Sequence, residues 1–285
     1  MPLVGAGTWL YNDTVAYDSV CKAFEAGYTF VDTAYGYGNQ AGIGKALKDC
    51  WFDKGRNRED LFVVTKIPGG LNTSEVADYH AQNLQWLGLD YVDNLLTHFP
   101  CDWEETPERC NKARRQEGWK ALETEYNNNR TKSIGVSHYC PRHIDDVLEI
   151  ASVKPSINQV EWHVGSGDID ETIAYTRKNG IFFQSFSPLC GPCEYKPADS
   201  LINGDLVSSI AAKYDNVLPS QVSLKFLVQH AETEDHYAGV IPKSDSAEHL
   251  AENLDLFHFK LSDEDMKALS AATKPAAEGG DCDAN

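Results

Sequence analysis

The chain has 285 residues, 42% of them hydrophobic and 24% charged, which excludes disordered, collagenous and low-complexity classes and leaves room for a sizeable core. Its 43 acidic against 25 basic residues give a net charge of −18, which repels phosphate backbones and anionic lipid, so nucleic acid and membrane are poor partners. No apolar run approaches the roughly 20 residues needed to span a bilayer, and the start, Met1-Pro2-Leu3-Val4-Gly5, has neither a basic region nor a signal-type apolar stretch.

In chain order, a short apolar segment from Leu3 to Gly7 leads to an amphipathic helix with Ala16, Val20, Ala23 and Phe24 on one face and Gly27 as its stop. A strand is expected at Tyr28 to Asp32. The alternation then repeats: helix Gln40 to Cys50, strand Leu61 to Lys66, helix Ser74 to Leu87, strand Tyr91 to Leu96, helix Glu117 to Tyr126, strand Lys132 to Val136. Pro141 begins a helix striped by Ile144, Val147, Leu148 and Ala151, followed by strand Ser156 to Glu161, helix Glu171 to Lys178 and strand Gly180 to Phe186. Helical segments from Leu206 to His230, a short strand Gly239 to Ile241, a helix Glu248 to Leu254 and a last helix from Ser262 complete the pattern. Strands each followed by helical sequence, with no long linker, predict an α/β fold, a (β/α)₈ TIM barrel in a single domain over 1–273, with 274–285 a flexible acidic tail.

Eight cysteines, at 21, 50, 101, 110, 140, 190, 193 and 282, are spread thinly over a chain too large to need disulfides, so mostly reduced thiols are expected, and the start without a signal-type stretch adds the expectation of a cytoplasmic location. Asn12, Asn72 and Asn129 each open an Asn-x-Ser/Thr triplet. Such triplets are common by chance, and nothing else in the sequence implies secretion.

In a parallel barrel, active sites form at the carboxyl ends of the strands, and polar residues gather there. Asp32 ends one strand, with Tyr37 five residues on; Lys66 ends the next; His98 lies just past another in Leu95-Leu96-Thr97-His98-Phe99-Pro100. Singly, a strand-end lysine is usually a solvated cap and a histidine before Phe-Pro loop packing. Together they have complementary chemistry. A phenol is a poor acid at neutrality unless a cation stabilises its phenolate, and an ammonium held by a carboxylate is such a cation. Tyr37 tuned by Lys66 and Asp32, with His98 donating a hydrogen bond to a carbonyl oxygen, suits carbonyl reduction.

Eight ordered motifs resemble the aldo-keto reductase family: Gly5-Ala6-Gly7-Thr8-Trp9, Asp32 to Asn39, Val64-Thr65-Lys66, Thr97-His98-Phe99-Pro100, Ile134-Gly135-Val136-Ser137, Asn158-Gln159-Val160-Glu161, Ser185-Phe186-Ser187-Pro188-Leu189 and Val240-Ile241-Pro242-Lys243-Ser244. The resemblance implies a barrel with nicotinamide cofactor across its mouth, the catalytic tetrad Asp32, Tyr37, Lys66 and His98, and a small carbonyl substrate near Trp9, Tyr37, His98 and Phe99. Gly7, Thr8 and Asp32 would border the cofactor, Ser137, His138 and Gln159 would meet its carboxamide, and Phe186 would stack on the ring. Ser187 and Leu189 would contact the pyrophosphate, Lys243, Ser244 and His249 the adenosine-side phosphate, and Glu252 and Asn253 the adenine. No metal ligands are assigned, and a monomer or weak dimer is expected.

The chain departs from the family pattern in three places. His138 stands where an asparagine usually follows the serine, and His249 where an arginine usually meets the 2′-phosphate. A fork that is always charged is thus replaced by a ring mostly neutral at pH 7. NADP(H) is expected to be preferred narrowly, with NAD(H) also used. The chain also begins almost at its first strand, without the hairpin common at the barrel floor, which leaves that edge open to fraying. Two rival readings are carried: a thiol-disulfide oxidoreductase, or a redox-responsive loop, through Cys190-Gly191-Pro192-Cys193, and a nonenzymatic cofactor-binding barrel. Pro197, and no apolar stripe after Cys193, argue against the helix a thiol site requires.

Overall fold

Every strand pairs in parallel with the strand that follows it in the chain, in the order β1 to β8. The computed structural model describes residues 1–101, 106–168, 171–191, 197, 199–233 and 237–272. The units run β1 Ala6–Gly7, α1 Asp13–Ala26, β2 Phe30–Asp32, α2 Gln40–Ala46, β3 Phe62–Ile67, α3 Thr73–Leu87, β4 Asn94–Thr97, α4 Lys112–Asn127, β5 Ile134–Ser137, α5 Pro141–Leu148, β6 Ile157–Glu161, α6 Thr172–Lys178 and β7 Phe182–Phe186. Helices α7 Asp205–Ala211 and α8 Pro219–Thr233, strand β8 Tyr237–Val240, and helices α9 Ala247–Leu254 and α10 Asp263–Ala271 follow. The sheet closes where Val4 bridges Val240, with Val240 N donating to Leu3 O at 2.8 Å and Gly5 N to Val240 O at 2.9 Å. The fold is the expected (β/α)₈ barrel, and its first edge is tied rather than frayed. The expected tail at 274–285 lies outside the described residues.

Local chemistry explains the unit boundaries. Asn12 caps α1 by accepting from Val15 N, and Gly27, at φ 103°, turns the chain out of it in a left-handed conformation that glycine adopts without a Cβ clash. A full capping box between Asn72 and Glu75 starts α3. Helix α4 begins earlier than its apolar pattern suggests, at Lys112, because Asn111 caps it from within a polar stretch. The helix predicted to Cys50 widens instead into a π turn over Leu47–Trp51.

Packing separates two layers. Phe30, Val64, Leu96 and Ile241 fill the barrel interior, while larger apolar clusters pack the strands against the surrounding helices. Trp162 packs away from the mouth, against Phe183, Phe226 and Tyr237.

The cysteines overturn the expectation of reduced thiols. Cys21 bonds to Cys50 with Cα atoms 5.4 Å apart, and Cys101 to Cys110 with Cα atoms 4.6 Å apart. Cys140 and Cys190 are disulfide-bonded as well, and no free cysteine occurs among the described residues. The first pair forms because α2 is laid against the start of α1: a Cβ on Gly42 would stand 2.1 Å from Asp13 O, so only glycine permits that approach. Spacing along the chain carries no sign of it. Bonded cysteines are also uncommon in a reducing compartment, which weighs against the cytoplasmic expectation. No described helix is long and apolar enough to cross a membrane.

Replacing Cys21 and Cys50 together by alanine should lower stability by about 3–4 kcal/mol, the chain-entropy value for a loop of sequence separation 29. The loss should appear as a lower urea midpoint than that of the unreduced parent. Equal midpoints would mean that the bridge does not constrain the chain in solution.

Candidate active site

The two-residue period of a strand stacks the site on the barrel core. Asp32 lies one pleat above Phe30 on β2, Lys66 one pleat above Val64 on β3, and His98 one above Leu96 as β4 ends, so polar groups crown an apolar layer. The Lys66 and Asp32 side chains are 0% and 1% exposed, and Lys66 Nζ donates to Asp32 Oδ1 at 2.6 Å. Its remaining protons go to Thr33 O at 3.0 Å and Tyr37 Oη at 3.1 Å. Gln159 Nε2, from β6, donates to Asp32 Oδ2 at 2.8 Å and to Gln184 Oε1 at 2.7 Å, so both carboxylate oxygens are occupied. Thr8 Oγ1 donates to the Asp32 carbonyl at 2.8 Å, tying the end of β1 to β2.

Tyr37 arrives on the single 3₁₀ turn Tyr35–Tyr37, which ends at Gly38 with φ 65°. Burial raises the Tyr37 pKa, the Lys66 ammonium draws it down, and Asp32 adds to the rise, so the phenol holds its proton. Burial works against the Lys66 ammonium, but the Asp32 carboxylate and the contacts with Asp32 and Tyr37 outweigh it and keep the amine protonated. His98 lies across from Tyr37 with ring centroids 5.4 Å apart. Burial, then Lys66 and His138, hold His98 well below the ordinary histidine range, so it is a neutral ring with one N–H to donate.

His138, on a left-handed residue at φ 59°, sits between Phe99 at 4.3 Å and Phe186 at 4.8 Å. Burial pushes it down to about 4, with the His98 carbonyl opposing. Nδ1 lies 3.0 Å from that carbonyl, which assigns the proton to Nδ1 and leaves Nε2 as an acceptor. The Ser137 hydroxyl is turned inward, donating to Gln159 O at 2.9 Å, and Ser137 is buried.

A cavity of about 430 Å³ opens over this group. Among the residues expected at the site, Gly7, Thr8, Trp9, Asp32, Tyr37, His98, Phe99, His138, Gln159, Phe186, Ser187, Leu189 and Lys243 line it. Lys66 supports it from below, while Ser137, Ser244, His249, Glu252 and Asn253 are not part of its wall. Those last four lie at or near α9, where Ser246 caps the helix by accepting from His249 N and the Ser244 carbonyl accepts from Ser19 Oγ at 2.8 Å. Lys243 stands over the Tyr11 ring at 4.6 Å; burial lowers its pKa and Asp245 opposes that shift. Gly36, Pro188, Gly191, Ile202, Ile241 and Pro242 also line the cavity. Ile241 and Pro242 could have been found from their place beside Lys243, but Ile202, 55% exposed in a polar loop, offered no signal. Cys190 is disulfide-bonded, and residues 192–196, Cys193 among them, lie outside the described residues.

The cavity's chemistry fits a long ligand with a flat ring and anionic groups. An aromatic face at Phe186, an acceptor at His138 and the Gln159 amide meet at one end, and the Lys243 cation stands at the other. A small group beside Tyr37 and His98 would have an acid and a neutral hydrogen-bond donor at its polar atom.

A family model described as the aldo/keto reductase family matches residues 3–274. Aldo-keto reductase family 1 member A1 of Xenopus tropicalis is 33% identical over 289 residues, covering 96% of this chain and 86% of its own. D-galacturonate reductase of Hypocrea jecorina is 33% identical over 294 residues, covering 99% and 90%. A crystal structure of a Bombyx mori aldo-keto reductase in complex with NADP superposes with a TM-score of 0.83 at 26% identity, covering 96% of this chain and 89% of that one.

A buried imidazole whose folded pKa lies below its unfolded value takes up a proton on unfolding, so its stabilising effect is complete above about pH 6.5 and fades as the pH falls toward 4. His138 should thus withdraw on the order of 1 kcal/mol of stability by about pH 5.5, from its displacement to about 4. Urea midpoints should fall with acidification, and His138→Asn should make the fall shallower; identical slopes would show that the folded protein protonates His138 freely.

Proposed function

Because the chain belongs to the aldo/keto reductase family, and is accordingly an NAD(P)H-dependent oxidoreductase, we propose that it reduces small aldehydes and ketones, sugar aldehydes among them, with Tyr37 as proton donor. The observation that carries the reading is Lys66 Nζ held between Asp32 Oδ1 and Tyr37 Oη beneath the open cavity. The nicotinamide, when bound, supplies hydride to the carbonyl carbon. Tyr37 gives its proton to the carbonyl oxygen, and Lys66 stabilises the phenolate left behind. Asp32 keeps Lys66 charged and aimed, and Gln159 keeps Asp32 in place. His98, neutral, donates to the same oxygen and orients it.

Phe186 would offer the stacking face for the nicotinamide and His138 Nε2 would accept from its carboxamide, while Ser187 and Leu189 line the cavity toward Lys243. Ser137 acts here through Gln159 and His138, because its hydroxyl is spent on the Gln159 backbone. Trp9, 44% exposed, and Phe99 form an apolar rim for the substrate. The sugar-aldehyde part of the proposal draws support from D-galacturonate reductase among the relatives.

Cofactor choice follows from the groups around α9. Lys243 and Ser244 offer a charge and a hydroxyl to a 2′-phosphate, while His249 replaces a guanidinium and Glu248 and Asp245 add negative charge close by. A missing bidentate contact costs about 1.5–3 kcal/mol, so NADPH leads NADH narrowly.

Tyr37→Phe should reduce turnover by roughly 10²–10⁴-fold while leaving cofactor affinity, read by quenching of tryptophan fluorescence, within a few-fold of the parent. Turnover retained in that variant removes Tyr37 from the acid role. Lys66→Met should be similarly severe, since it strands the buried Asp32 without its cation. His249→Arg should widen the NADPH to NADH affinity ratio by roughly ten- to a hundredfold; a ratio that does not move shows that residue 249 does not face the phosphate.

A further inference from the structure

We propose that Asn129 is an N-glycosylation site and that the chain matures in an oxidising, glycosylating compartment. Six described cysteines, on the mouth loops and on the helix shell alike, are consumed as disulfides: the Cys21–Cys50 and Cys101–Cys110 bridges and the bonded Cys140 and Cys190. Thiols in a reducing compartment are kept reduced, so a chain with several disulfides belongs to the secretory route or its equivalent. In that setting an Asn-x-Ser/Thr triplet is a substrate for an oligosaccharide carried on a lipid diphosphate. The new bond joins the sugar anomeric carbon to the asparagine Nδ2; the bond from that carbon to the diphosphate breaks, the lipid diphosphate leaves, and one amide proton is released.

The structure separates the three triplets. Asn12 and Asn72 are N-caps, of α1 and α3, and both follow loops at the mouth of the barrel. A glycan on either would stand beside the cavity. Asn129 caps no helix, since α4 ends at Asn127 with Asn128 as its C-cap, and it is exposed together with Asn127 and Asn128. It sits at φ 57° in the turn between α4 and β5, a left-handed conformation that asparagine tolerates. An αβ turn lies at the barrel floor, opposite the mouth. The turn is firmly placed, with Asn129 N donating to Tyr126 O at 3.0 Å and Arg130 paired to Glu125 at 3.0 Å, so the side chain is presented to solvent from a rigid base. A glycan there meets neither cofactor nor substrate.

The test takes the full-length protein from its own source, alkylates it without reduction, and then removes N-glycans enzymatically in heavy-oxygen water. Mass spectrometry should find Cys21 and Cys50 unlabelled and Asn129 converted to aspartate carrying heavy oxygen. An intact Asn129 amide in every copy, or alkylation of Cys21 and Cys50 before reduction, overturns the proposal. In the chain secreted from a eukaryotic host, Asn129→Gln should lose the mass of one glycan with aldehyde turnover unchanged. An unchanged mass overturns the assignment whatever the activity proves to be.

Discussion

The ion pair between Lys66 and Asp32, with side chains 0% and 1% exposed, is the constraint around which the mouth of the barrel is organised. Two charges removed from water are tolerable only when their geometry is close and their remaining valences are filled. Here they are: Thr33 O and Tyr37 Oη take the other lysine protons, and Gln159 covers the second carboxylate oxygen. The pair therefore joins β2, β3 and β6 across the barrel and fixes the phenol against the ammonium. Such pairs add little to net stability relative to an apolar pair of the same shape, but removal of one partner is costly. Its value lies in holding the Tyr37 phenol in register.

Around that centre the wall of the cavity is made rigid by aromatic contact. His98, Phe99, His138 and Phe186 form a continuous run of rings with neighbouring centroids 4.3 to 4.8 Å apart. Both histidines are kept neutral chiefly by burial, which suits a site where a nearby lysine already carries the positive charge. His138 spends Nδ1 on the His98 carbonyl, so the backbone that carries one ring orients the other.

Covalent bonds support the same region from outside. Cys101–Cys110 closes the loop after β4 that carries Phe99, Cys140 immediately precedes α5 after the His138 turn, and Cys190 follows Leu189 in the cavity wall. Loops on a barrel mouth are the least stable parts of the fold and also carry its chemistry. Cross-links there restrict the loops, and no described cysteine lines the cavity.

Residue periodicity and strand ends made the barrel and the tetrad legible in advance, because both depend on local rules: alternation within a strand, helix stops, and the tendency of polar side chains in a barrel to gather at carboxyl ends. Asp32, Tyr37, Lys66 and His98 were weak signals singly and became a candidate group only when read together, and eight ordered motifs strengthened that reading. Boundaries were less legible where capping overrode the apolar stripe, as at Asn111, or where a helix widened, as over Leu47–Trp51. Long-range pairing was not legible at all. That Cys21 meets Cys50 depends on Gly42 letting α2 lie against α1, and that Gln159 reaches Asp32, 127 residues away, depends on barrel closure. The inward turn of the Ser137 hydroxyl, the withdrawal of Trp162 into an aromatic cluster and the arrival of Ile202 in the cavity wall were likewise decided by packing. Sequence by itself determined which groups were available and on which strand end; only tertiary structure decided their partners, because partnership is a matter of distance in space, which separation along the chain does not encode.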